Sequence, residues 1–218
     1  MSYRFQEYDT KFRTPFGMII AGPSGSGKTT FLMKLLNEYQ RMLYPIPKSI
    51  LYCYSEYHSH VKTLQEGGVS VHQGVPDDAL LCAQEKPLLL ILDDLMQNVN
   101  EDYLTALFTK KSHHKEISVI FMTQDLFQKK VKVARNNSQY IIIMRAPNAM
   151  LQIRNLGVQI YPGQLAYFLD AYKLATHCKY GYLVIDLHPA QISEIRLRTN
   201  IFKEPEDQEL NIFVPKNI

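Results

Sequence analysis

Residues Gly22-Pro23-Ser24-Gly25-Ser26-Gly27-Lys28-Thr29-Thr30 form a G-x-x-x-x-G-K-[ST] run, the pattern of a phosphate-binding loop. Its flanks have the context that the pattern needs. Phe16-Gly17-Met18-Ile19-Ile20-Ala21 is a short apolar run, suited to a buried strand, and Phe31–Tyr39 carries apolar residues at helical spacing. Glycines at 22, 25 and 27 admit backbone angles closed to other residues and let the main chain approach a ligand. Successive N–H groups and a helix N-terminus then face anionic oxygens. In this reading Gly22–Thr30 hold a nucleoside triphosphate, Lys28 places a charge on its β- and γ-phosphates, and the Thr29 hydroxyl ligands Mg²⁺.

A second stretch completes the chemistry. Pro87-Leu88-Leu89-Leu90-Ile91-Leu92-Asp93-Asp94 reads as a central parallel strand covered on both faces. Its two carboxylates sit at the strand end where open α/β sheets bind ligands. This is a Walker B pattern: Asp93 holds the metal shell and Asp94 positions the attacking water. A third buried strand, Ile117–Met122, ends in Thr123-Gln124-Asp125, and Gln124 is the candidate sensor of the γ-phosphate.

The rest of the chain alternates strands and helices. Strands are expected at Ser49–Tyr54, Val69–His72 and Tyr140–Met144. Helices are expected at Val61–Glu66, from Pro76 onward, at Glu101–Lys110, at Met150–Gln159 and after Pro162-Gly163-Gln164. Tyr182–Leu187 and Ile192–Arg198 read as an antiparallel pair. The expected fold is α/β, with a mainly parallel central sheet flanked by helices and a C-terminal antiparallel strand pair. Residues 1–15 read as an N-terminal arm, 16–200 as one P-loop domain and 201–218 as a tail. Phe127–Asn137 reads as a polar, basic loop.

Composition narrows the classes. No apolar run reaches membrane-spanning length, and the first residues do not read as a signal peptide. Cys53, Cys82 and Cys178 have no pairing logic, as expected of free thiols in a reducing compartment. The net charge of +3 allows a nucleic-acid partner without demanding one. Lys110, Lys111 and Lys115 form one basic cluster, and Lys129, Lys130 and Lys132 another. Either suits phosphate contacts with DNA, and either suits an ordinary solvated face. His113-His114, His58 with His60, and His177-Cys178 lack zinc-ligand spacing.

The set G-P-S-G-S-G-K-T-T, L-L-L-I-L-D-D-L, S-H-H-K, V-I-F-M-T-Q-D and N-N-S-Q-Y-I-I-I-M-R, in that order, resembles the genome-packaging ATPases of the FtsK–HerA superfamily. The likeness is to the small packaging ATPases of poxvirus-like and Polinton-like DNA viruses and elements, and it runs from about Phe16 to Asn200. It implies a RecA-like fold and an ATP- and Mg²⁺-dependent ring motor, a hexamer or pentamer. Such a motor drives double-stranded DNA into a capsid, with a capsid or portal-vertex protein as partner. It also implies an intracellular site of action, in host nucleus or cytoplasm, and association with the virion. Asp94 stands where many relatives carry Glu. Ring motors of this kind use an arginine from the neighbouring subunit, and the chain offers Arg135, Arg145 and Arg154, with Arg135 favoured by its position in a polar segment. Two other classes share the loop: a small-molecule kinase, against which the absence of an arginine-rich lid speaks, and a nucleotide-dependent assembly switch, which the short Asp94 would suit.

Overall fold

The computed structural model describes residues 10–111, 115–202 and 210–215. At its centre is a nine-stranded sheet. The strands are β2 (Gly17–Ala21), β4 (Ser49–Tyr54), β5 (Ser70–Gln73), β6 (Leu88–Asp93), β7 (Ile117–Thr123), β8 (Tyr140–Met144), β9 (Tyr182–Asp186), β10 (Leu197–Thr199) and β11 (Asn211–Phe213). They lie in the order β11-β10-β9-β8-β2-β7-β6-β4-β5. From β8 to β5 every pairing is parallel, and from β8 to β11 every pairing is antiparallel. A separate short pair joins β1 (Phe12–Arg13) to β3 (Leu43–Tyr44).

Side chains alternate across a strand, and here each strand feeds two cores. Ile19, Leu90, Leu92, Phe121, Ile141 and Ile185 face one side, while Met18, Ile20, Leu89, Ile91, Ile120 and Ile142 face the other. The second face is covered by α1 (Lys28–Asn37), α2 (Tyr39–Met42) and α3 (Ser59–Glu66), through Phe31, Leu32, Leu35, Met42, Val61 and Leu64. The first face is covered by α4 (Asp78–Ala83), α5 (Glu101–Ala106), α6 (Lys132–Asn137), α7 (Met150–Ile160) and α8 (Leu165–Ala175). The continuous apolar runs of the central strands are thus two interleaved sets, each burying side chains worth about 1.5–3 kcal/mol apiece. No helix among the described residues is long and apolar enough to cross a membrane.

Four local expectations change. The stretch Glu101–Lys110 leaves α-helical geometry at Leu107 and finishes as a π-turn, Leu107–Lys111. Ile192–Arg198 is not one strand, because Ser193–Ile195 forms a 3₁₀ turn before the short β10. The tail supplies the edge strand β11, and the arm supplies β1, so both ends join sheets. Phe127–Asn137 is not a loop: Lys129–Val131 is a 3₁₀ turn that runs into α6, with Val131, Ala134 and Arg135 buried.

Candidate functional site

The phosphate loop joins β2 to α1 at the C-terminal edge of the parallel strands. Gly27 caps α1 in the left-handed region at φ 103°, and Gly25 sits at φ 74°. A side chain at Gly22 would collide with Met144 Cβ and Ser26 Oγ, each 2.7 Å from a β-carbon there. These conformations suit glycine. Unlike α4 and α5, which have Asp77 and Asn100 as side-chain caps and acids in the first turn, α1 has neither. Its N-terminal N–H groups and positive dipole end are therefore left for an anion from outside the helix.

Lys28 Nζ donates to the carbonyls of Gly22, at 2.7 Å, and Pro23, at 3.0 Å, which hold it across the loop. Burial lowers its pKa below the usual lysine range, and the charges of Asp93 and Asp94 work in the opposite sense. Ser26 Oγ is buried in the loop with no hydrogen-bond partner.

One strand, β7, separates the phosphate-loop strand from β6. Its tip therefore lies between the loop and the two acids. Gly22 N donates to Thr123 O at 3.2 Å, locking loop to tip. Thr123 and Asp125 close a tight turn, with Asp125 N donating to Thr123 Oγ1 at 3.2 Å. Gln124 is left exposed. Asp93 is 8% exposed and accepts a hydrogen bond from the Tyr52 hydroxyl. His58 Nε2 lies 3.2 Å from that hydroxyl and 3.7 Å from Asp93 Oδ2. Burial raises the Asp93 pKa above the carboxylate range, with the Tyr52 hydrogen bond and His58 opposing. Asp94 takes the left-handed φ of 52° and is exposed. The backbone reversal puts neighbouring acids in different settings, one enclosed and one open to the cleft.

Lys28, Thr29, Thr30, Asp93, Asp94 and Gln124 line one cleft of about 450 Å³ together with Ser24, Gly25 and Gly27. Sequence reasoning missed its other wall. Tyr54, Glu56, Tyr57 and His58 reach it from the end of β4 and the turn beyond, His60 from the start of α3, and Tyr180 from the turn before β9. The strand order places it there: β4 neighbours β6 in the parallel sheet, so its last residues emerge at the same edge.

The remaining predicted residues scatter. Arg135 is the main correction. It is 9% exposed on α6, its Nη1 donates to Leu126 O at 3.0 Å, and its guanidinium lies 4.4 Å from the Phe127 ring centroid. It braces the segment after Gln124 through contacts within the chain, and its side chain is enclosed rather than lying in an open polar loop. Arg145, just after β8, and Arg154, on α7, are exposed. Lys130 is also engaged internally, with Nζ donating to the carbonyls of Met96 and Val99. Lys115 is half-buried, its Nζ 3.8 Å from Cys82 Sγ. Lys110, Lys129 and Lys132 are exposed. The two basic clusters lie at opposite edges of the sheet, since Lys115 precedes β7 and Lys129 follows it. His113-His114 and the Lys111 side chain lie outside the described residues.

A phosphate loop between strand and helix, paired acids at the tip of a neighbouring parallel strand and a polar tip between them define a P-loop NTPase. The chain belongs to the poxvirus A32 protein family: that family's model matches residues 3–188. It is an ATPase of this packaging family. No curated protein sequence matches it significantly. Its backbone is similar to the genome packaging NTPase B204 of Sulfolobus turreted icosahedral virus 2. The AMPPCP complex gives a TM-score of 0.52 over 92% of this chain and 98% of that chain, at 15% identity. The ATP-gammaS complex gives 0.51 over 93% and 98%, at 14% identity. At such identity the likeness concerns the fold alone.

Proposed function

We propose that the chain is a ring-forming motor that couples ATP hydrolysis to translocation of double-stranded DNA, packaging a viral or virus-like genome into a capsid inside the host cell. The observation that carries this reading is the convergence of Lys28, Thr29, Asp93, Asp94 and Gln124 on one cleft, in a chain of the A32 family. The B204 structures, described as complexes of a genome packaging NTPase with ATP-gammaS and AMPPCP, support the nucleotide assignment.

The donor set fits Mg²⁺. Thr29 offers a hydroxyl and Asp93 a carboxylate, both hard oxygens, and Tyr52 orients the carboxylate. Among the described residues no group of three or more His, Cys, Asp or Glu could hold a metal by itself. When bound, Mg²⁺ offsets charge developing on the β- and γ-phosphate oxygens.

The chain's own groups do the remaining work. The amides of Gly25–Lys28 and the start of α1 surround the phosphates, and Lys28 moves from the Gly22 and Pro23 carbonyls onto phosphate oxygens. Asp94 accepts the proton-bearing side of the attacking water, and Gln124 holds that water in line. Gln124 then reports loss of the γ-phosphate to the segment that Arg135 braces, which leads directly into Lys129 and Lys132. With Arg135 turned inward, Arg145 is the arginine that reaches a neighbour's phosphates in the ring. DNA is held through its phosphates by exposed lysines, as a motor indifferent to sequence requires. The test is ATP hydrolysis by the full chain with and without double-stranded DNA: stimulation by DNA supports the motor, and turnover indifferent to DNA contradicts it.

A further inference from the structure

The phosphate cleft does not end at the phosphate loop. A second cavity, of about 760 Å³, opens beside it, and Gly27, Thr30 and Tyr180 line both. The shared residues order the two spaces along a ligand. Asp93, Asp94 and Gln124 mark the γ end of a triphosphate in the first cavity, and Thr30, one position past the metal-ligand Thr29, lies on the way out. In a nucleotide the nucleoside lies beyond the α-phosphate, and the second cavity is the continuous space that would receive it.

That cavity presents one exposed aromatic at its entrance. Tyr180 is 45% exposed and adopts φ 61°, a conformation uncommon for an aromatic residue. Gly181 N donates to Cys178 O at 3.0 Å and Arg145 N donates to Gly181 O at 3.2 Å, fixing the turn that holds it. The side chain packs on the phosphate loop itself, since a β-carbon on Gly27 would lie 2.9 Å from Tyr180 Cβ and Cδ1. Any residue but glycine at 27 would displace it. Lys179 Nζ lies 4.9 Å from the ring centroid and adds positive charge beside it. Lys34 and Asn200 line the walls beyond.

We infer that Tyr180 is the seat of the nucleobase. The base of a nucleotide whose phosphates occupy the loop stacks on the Tyr180 ring, with its ribose passing Thr30. This deepens the ATPase reading and rests on it. Stacking rewards ring area and is tolerant of base-edge chemistry, so the seat favours purine over pyrimidine triphosphates.

The experiment compares binding of ATP, CTP and inorganic tripolyphosphate to the full chain, by titration calorimetry with Mg²⁺, for wild type, Tyr180→Ala and Tyr180→Phe. The inference predicts that Tyr180→Ala weakens ATP about 5- to 150-fold, as expected for losing one base stack. Tripolyphosphate binding should stay within about two-fold, Tyr180→Phe should retain ATP binding, and wild type should bind ATP more tightly than CTP. Equal weakening of ATP and tripolyphosphate in Tyr180→Ala would make the ring a prop for the loop and overturn the inference, as would no weakening of either. Wild type binding tripolyphosphate as well as ATP would also overturn it while leaving the phosphate site standing. Wild type binding neither would remove the ATPase reading, and the inference with it.

Discussion

The Tyr52 hydroxyl donates a hydrogen bond to Asp93, joining the middle of β4 to the tip of β6 inside the sheet. The hydroxyl is itself held far above its usual pKa by burial and by Asp93, so it stays a donor at any working pH. Groups that orient a metal ligand are worth about 10- to 100-fold in affinity or activity. With Asp93 as the proposed Mg²⁺ ligand, Tyr52→Phe should raise the Mg²⁺ concentration for half-maximal ATP turnover by about that factor. ATP binding without metal should be unchanged. A variant with wild-type Mg²⁺ dependence would reduce Tyr52 to core packing.

Asp93 illustrates a conflict between stability and function. Because burial raises its folded-state pKa above 3.8, its charge destabilises the metal-free fold. The penalty is fully present above the raised pKa and absent below about 3.8. Asp93→Asn keeps an acceptor for Tyr52 and removes the charge. It should raise Tm at pH 7 by about 2–4 °C per kcal/mol regained, with the gain shrinking toward zero as pH falls below 4, while turnover is lost. Thermal melts of both proteins across that range check the sign, and a variant less stable than wild type at pH 7 contradicts it.

In the proposed motor Arg135 is a structural residue and Arg145 the one that acts across the interface. Arg135→Ala loses a carbonyl hydrogen bond and the Phe127 contact, and should cost about 1–3 kcal/mol of stability, read as a lower Tm. Arg145→Ala should melt like wild type and lower kcat by about 10³ or more, the range for an arginine acting across an interface. The opposite pairing of effects would return Arg135 to the catalytic role.

The lysines divide the same way. Lys130 ties down the loop after β6, so Lys130→Ala should lower Tm. Lys129→Ala and Lys132→Ala should leave Tm unchanged. Each should reduce the slope of log affinity for double-stranded DNA against log salt by about 0.9. Binding measured over a salt series decides, and unchanged slopes would place DNA elsewhere.

The sheet was legible because its strands are unbroken apolar runs with distinctive tips. β4 and the Walker B strand fall where their patterns end, and the strand-end position of Asp94 and Gln124 followed directly. Arg135 misled because lysines and asparagines around it suggest a solvated loop, whereas Val131, Ala134 and Arg135 bury at helical spacing. Tyr52 escaped notice because a tyrosine within a strand reads as packing, and only pairing of β4 with β6 brings its hydroxyl to Asp93. Tyr180 lies some 150 residues along the chain from Gly27, and no local pattern links them. The edge strand β11 is only three residues long and depends on β10 for its form.

A DNA-coupled ATPase built on Lys28 and the paired acids is checked by Mg²⁺-dependent ATP hydrolysis with and without double-stranded DNA, for wild type and Lys28→Ala. Wild type should turn over ATP at a rate that DNA stimulates, and the variant should show none above background. Turnover that survives Lys28→Ala, or that DNA leaves unchanged in wild type, would contradict it.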